Sequence, residues 1–144
     1  LFWLRRETGM RSAILGALLA MILVGAVAAS DARSAITGVI QNQLEAFKAD
    51  DFATAFTFAS PNIKRLFGDS DRFGSMVRSG YPMVWRPGAV QYLDLEEMGG
   101  YRLQKVLITD TSGVPHLLEY QMIETDEGWQ INGVRILEAP QVGA

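Results

Sequence analysis

The sequence predicts an α+β domain: N-terminal helices packed on a curved antiparallel sheet, a cone-like roll, after an apolar signal or anchor segment. Three observations carry this. From Ser34 to Ser79 apolar residues recur at helical spacing. After Gly80 the pattern changes to extended runs split by short turns, most of them containing glycine. Ahead of both lies Met10 to Ala29, a basic residue followed by an unbroken apolar stretch with small residues at its end.

The apolar run from Ala13 to Ala29 is 17 residues long, just short of the roughly 18–20 expected of a spanning helix. A cleaved export signal is therefore the first expectation for residues 10–29, with cutting after Ala28, Ala29 or Ala32. An uncleaved inner-membrane anchor formed by residues 13–29 is the alternative. Leu1 to Gly9 fit neither, and Met10 stands where such a signal would start, so residues 1–9 read as an upstream start extension. Export places the protein in the periplasm or another extracytoplasmic space.

Residues 34–138 then form one domain, and 139–144 a short tail. There are no cysteines, so disulfides and thiolate metal sites are excluded. Removing Arg5, Arg6, Arg11 and Glu7 from thirteen basic and sixteen acidic residues leaves ten and fifteen, about −5. That balance argues against nucleic acid, whose binding needs basic patches.

The elements follow in order. Ile36, Ile40, Leu44 and Phe47 make one face of a helix. Asp50 and Asp51 mark a break and a new N-cap, after which Phe52, Phe56 and Ala59 form a short second stripe. Ser60-Pro61 places a capping hydroxyl before a proline at the first helical position. Ile63, Leu66 and Phe67 give that helix its buried side, and Gly68 ends it. Asp69-Ser70 caps a helix carrying Phe73, Met76 and Val77 that stops at Gly80. Pro82 and Pro87 bracket an expected extended piece, Met83 to Arg86. Four strands are expected at Val90–Met98, Tyr101–Thr109, Val114–Glu124 and Trp129–Leu137, joined as consecutive hairpins. Gly133 inside the last strand suggests a bulge.

The run Glu127-Gly128-Trp129-Gln130-Ile131-Asn132-Gly133-Val134 resembles the last strand of the nuclear-transport-factor-2-like superfamily. Ala55 to Pro61, Met76 to Pro87, and Tyr120 to Glu124 with Gly128-Trp129 resemble an uncharacterised bacterial family, domain of unknown function 4864. The resemblance spans about residues 35–137. It implies the fold, export and an unassigned role, and it supplies no catalytic residues. For the superfamily it implies a homodimer formed on the open sheet face.

The pocket or binding candidates are Tyr81, Trp85, Arg86, Tyr92, His116 and Tyr120. Tyr81 to Pro87 sets two aromatics and an arginine between prolines, a platform on which Arg86 could fork onto a carboxylate or phosphate. The bland reading has Trp85 filling the core and Arg86 pairing with a helix acid. His116, the lone imidazole, shares a strand face with Leu118, Tyr120 and Met122, at the rim beside a turn. Enzymes of this superfamily often bury an Asp or Tyr in an apolar cone, which singles out Tyr92, Asp94 and Tyr120. Alternation, however, places Tyr92 and Asp94 on one face and Leu93 and Leu95 on the other, which conflicts. No metal site and no cofactor are expected.

The leading expectation is thus an exported module, without catalysis, that binds an apolar or amphipathic small molecule or an envelope protein. An isomerase- or dehydratase-like enzyme using Asp94, Tyr92, Tyr120 or His116 is the first alternative. A dimeric structural or assembly protein is the second.

Overall fold

A computed structural model describes residues 31–137. The expectations for residues 1–9, 10–29 and 139–144 lie outside the described residues. The chain divides at residue 34: of the first unit only residues 31–34, all helical, are described, and residues 35–144 form the second.

In the second unit the first helix, α1 (35–48), carries the predicted stripe. Ile36, Ile40, Leu44 and Phe47 are all fully buried, each contributing roughly 2 kcal/mol of transfer free energy. The helix closes with two backbone bonds, Asp51 N–H to Ala46 O at 2.9 Å and Asp50 N–H to Phe47 O at 3.0 Å. Asp50 itself is left-handed, with φ 54°, in the Schellman position usually held by glycine.

Three further helices follow as the capping residues predict. Asp51 caps α2 (Phe52–Thr57) by accepting from Thr54 N–H, Ser60 caps α3 (Pro61–Phe67) by accepting from Ile63 N–H, and Asp69 caps α4 (Ser70–Gly80) by accepting from Arg72 N–H. Gly68, at φ 84°, ends α3. Gly74 lets α4 lie close to α2, because a Cβ there would stand 2.6 Å from the Phe52 ring. The expected extended piece at Met83–Arg86 is instead a one-turn helix, α5 (Pro82–Trp85). Pro82 at its first position presets the helical φ, and four residues are too few for periodicity to tell helix from strand.

The sheet is a meander in the order β1 (Pro87–Met98), β2 (Tyr101–Asp110), β3 (Pro115–Thr125), β4 (Gly128–Leu137), antiparallel throughout. Three register shifts shape it, one at the start of β1 between Pro87 and Ala89 and two farther along the sheet. On β1, Tyr92 pairs with Val106 but Leu95 with Gln104, so one extra residue is accommodated between them. This resolves the conflicting periodicity: Tyr92 and Leu95 both pack against the core, and Asp94 is exposed. On β4, Gln121 pairs with Gly133 and Met122 with Ile131, leaving Asn132 as the extra residue beside the glycine that suggested it.

Gln104, Val106, Ile108, Leu118, Tyr120 and Met122 bury their side chains completely on the inner face of the sheet. All but Gln104 join the α1 stripe, Phe73, Val77, Met83, Val84 and Ile131 in one core cluster. The edge of β4 is covered over part of its length by the link between α2 and α3. Ser60 N–H donates to Ile131 O and Ile131 N–H to Phe58 O, both at 2.8 Å.

Candidate functional site

An apolar cavity of about 220 Å³ opens between α3, α4, α5 and β4. Phe47, Phe73, Val77, Val84 and Ile131 come to it from the core, and Ile63, Leu66 and Phe67 from α3. Gln43 and Tyr81 are the polar side chains of the wall. Gln43 is 3% exposed, and its Nε2 donates to Ala55 O at 3.1 Å. The Tyr81 hydroxyl donates to Val134 O at 2.9 Å.

The arrangement of α3 follows from a small polar network. Ser60 Oγ donates to Asn132 Oδ1 at 2.7 Å, Asn62 Nδ2 donates to the same oxygen at 3.3 Å, and Asn132 Nδ2 donates to Gln121 Oε1 at 2.9 Å. The bulge residue of β4 therefore pins the start of α3 to the sheet. The helix is held at its polar N-terminus while none of its residues is fully buried. Its apolar side chains all line the cavity, and Leu66 remains 73% exposed.

The six residues singled out from the sequence do not converge. Tyr81 alone among them lines the cavity. Trp85 and Arg86 turn to Asp50: Trp85 Nε1 donates to Oδ1 at 2.9 Å, and Arg86 Nη2 donates to Oδ1 and Oδ2 at 3.0 Å each. Arg86 Nη1 also donates to Phe47 O at 2.8 Å, and the guanidinium lies 3.9 Å from the Trp85 ring centroid. The indole and guanidinium donors hold the Asp50 carboxyl below the usual carboxylate range.

Tyr92 and Tyr120 stand on the inner face. The Tyr92 hydroxyl bonds Gln41 Oε1 at 2.8 Å, and burial, with the nearby Glu45 charge adding to it, pushes its pKa up to about 12. Tyr120 is fully buried, which drives its pKa further up, with Tyr92 and Tyr81 reinforcing the rise. Its hydroxyl, like Gln104 Oε1 on the opposing strand position, has no hydrogen-bond partner among the described residues. Gln104 Nε2, by contrast, donates to Leu93 O at 3.0 Å and Lys105 O at 2.9 Å, and so fills the β1 bulge with a polar partner.

His116 is half-buried, with Nε2 3.0 Å from Asp110 Oδ2. Asp110 Oδ1 meanwhile accepts from Ser112 and Val114 N–H, each at 2.9 Å, closing the β2–β3 turn. The His116 bond, followed by the turn amides, lowers the Asp110 pKa. None of Tyr92, Asp94, His116 and Tyr120 lines the cavity. Among the described residues no cluster of three or more acids and histidines could hold a metal ion.

Sequence reasoning missed Gln43, Asp50, Gln104, Asp110 and Asn132. Asp50 and Asn132 had a signal, as a polar residue after a helix and as the neighbour of a strand glycine. The buried glutamines had none.

No curated protein matches the sequence. The crystal structure of an NTF-2 like protein of unknown function from Burkholderia xenovorans LB400 is similar to the chain, at 15% identity and a TM-score of 0.44 over 76% of this chain and 90% of that one. The family model described as Domain of unknown function (DUF4864) matches residues 29–144, the stretch to which the quoted motifs belong, and the chain is a member of that family.

Proposed function

We propose that the protein is an exported, non-catalytic module that holds a small apolar molecule in the cavity between α3, α4, α5 and β4. The observation that carries this is α3 itself. Ile63, Leu66 and Phe67 all line the cavity, yet Ile63 and Phe67 are only partly buried and Leu66 is 73% exposed. An occupant would remove this apolar surface from water, at roughly 25 cal/mol for each Å² covered. Pockets that retain small molecules share this form, an apolar wall with a few fixed polar groups. The proton-handling candidates lie elsewhere, which supports retention over turnover. Export rests on the sequence of residues 10–29.

Native mass spectrometry of the protein recovered from its host's envelope tests both parts. The expected mass is that of a chain cut near Ala28 to Ala32, carrying a small adduct that is lost on denaturation. An uncut chain would refute cleavage. An empty protein whose melting temperature no small neutral molecule raises would refute retention, since any ligand of the native state must stabilise it.

A further inference from the structure

We infer that the cavity selects an uncharged molecule of about ten non-hydrogen atoms bearing a single hydroxyl group, which rests on the binding reading above. The size follows from the volume. An apolar cavity of about 150 Å³ holds benzene, so about 220 Å³ leaves room for a ring or branched chain with a few more atoms. Because Leu66 stands 73% exposed on the wall, the occupant enters past α3.

Neutrality follows from the lining. No Asp, Glu, Lys, Arg or His contributes to the wall. Several basic residues beside lining positions are engaged away from the wall: Arg65 with Asn62, Arg78 over the Phe52 ring and Arg135 with Glu119. A carboxylate or ammonium entering the cavity would lose its hydration with no counter-charge to meet it, whereas a neutral body loses little.

The single hydroxyl follows from the two polar wall residues. Gln43 spends one of its two amide hydrogens on Ala55 O. Tyr81 spends its hydroxyl hydrogen on Val134 O, so its oxygen can only accept. Tyr81 thus offers an acceptor and Gln43 a further donor, and an alcohol or phenol group can bond with either. A plain hydrocarbon leaves both idle, at the cost of desolvating them.

The experiment is a calorimetric titration of the full chain with three probes of related shape: 4-propylphenol, propylbenzene and 4-ethylbenzoate. The expected order is phenol tighter than hydrocarbon by roughly five- to ten-fold, the value of one net hydrogen bond, with the benzoate weakest. Tyr81→Phe keeps the wall's shape and should bring the phenol down to the hydrocarbon's affinity. Gln43→Leu should act in the same direction. If phenol and hydrocarbon bind equally to the native protein, the polar-end inference fails while the binding reading stands. If the benzoate binds tightest, neutrality fails. If no probe binds, both readings fail together.

Discussion

The carboxylate of Asp50 accepts two hydrogen bonds from Arg86 Nη2, each 3.0 Å long, across 36 residues of chain. The pair explains why an aspartate occupies a left-handed position that glycine would fill with less strain. Its side chain, held by Trp85 and Arg86, ties the end of α1 to the α5–β1 junction. The same guanidinium bonds Phe47 O, the carbonyl in the last turn of α1 that also accepts from Asp50 N–H. A cation at a helix C-terminus is also favoured by the helix dipole.

Arg86→Ala is therefore expected to lower the melting temperature by roughly 4 °C or more, through the lost carbonyl bond and ring stacking as much as through the ion pair. Arg86→Lys should recover little, because an ammonium cannot fork onto both carboxylate oxygens. Asp50→Gly should cost less than Asp50→Ala, since glycine relieves the left-handed backbone while alanine keeps the strain and loses the bonds. Thermal unfolding of the four variants checks the order, and equal losses for the two Asp50 variants would remove the backbone part of the explanation.

Acid should weaken the fold through the same groups. Asp50, Asp51 and Asp110 all have pKa values depressed below 3.8 by hydrogen bonds present only in the folded chain. Depressed folded values mean the unfolded state binds protons first, so their stabilisation is complete above the unfolded pKa. It is lost as pH falls below about 3.8 and through the folded values. Melting temperature measured from pH 6 downward should drop in that window, and less steeply in Asp50→Asn and Asp110→Asn.

Tyr120→Phe should stabilise the protein. The hydroxyl is buried and has no partner among the described residues, a defect that costs about 1 kcal/mol or more. Removing it should raise the melting temperature by roughly 4–8 °C. Gln104→Leu should do the reverse, because its amide is the partner of the bulge carbonyl at Leu93. Chemical denaturation of both variants reads the two signs, and a loss in Tyr120→Phe would show that the hydroxyl is hydrogen-bonded.

Gly74→Ala tests the contact of α4 with α2. Alanine gains up to about 1 kcal/mol of helix propensity, but its Cβ would stand 2.6 Å from the Phe52 ring. Overpacking of this kind costs about 1–3 kcal/mol, so net destabilisation is expected. In a Phe52→Ala background the sign should reverse, and a double-mutant cycle measures it.

Most of the frame was legible in the sequence because local chemistry determines it. The Ile36–Ile40–Leu44–Phe47 stripe, the caps Asp51, Ser60 and Asp69, and the hairpin turns each depend on neighbours a few residues away. What stayed hidden depends on distant partners. Periodicity failed at Tyr92–Leu95 because one extra residue there reverses the alternation, and the amide that makes this tolerable comes from Gln104 on another strand. Arg86 was recognised as a fork, but its carboxylate, Asp50, could not be identified without the fold. The cavity was half visible: the Ile63–Leu66–Phe67 stripe was read, but not that Ile63 and Phe67 would be only partly buried and Leu66 73% exposed.

A crystal soaked in iodobenzene tests occupancy of the cavity most directly, because the iodine scatters anomalously and reports its own position. The expected result is a peak between Met76 on α4 and Val134 on β4, with Leu66 drawn in over the ring. A soaked crystal with no peak there, or with iodine only on the open face of the sheet near Leu103, would contradict the assignment of this cavity as the binding site.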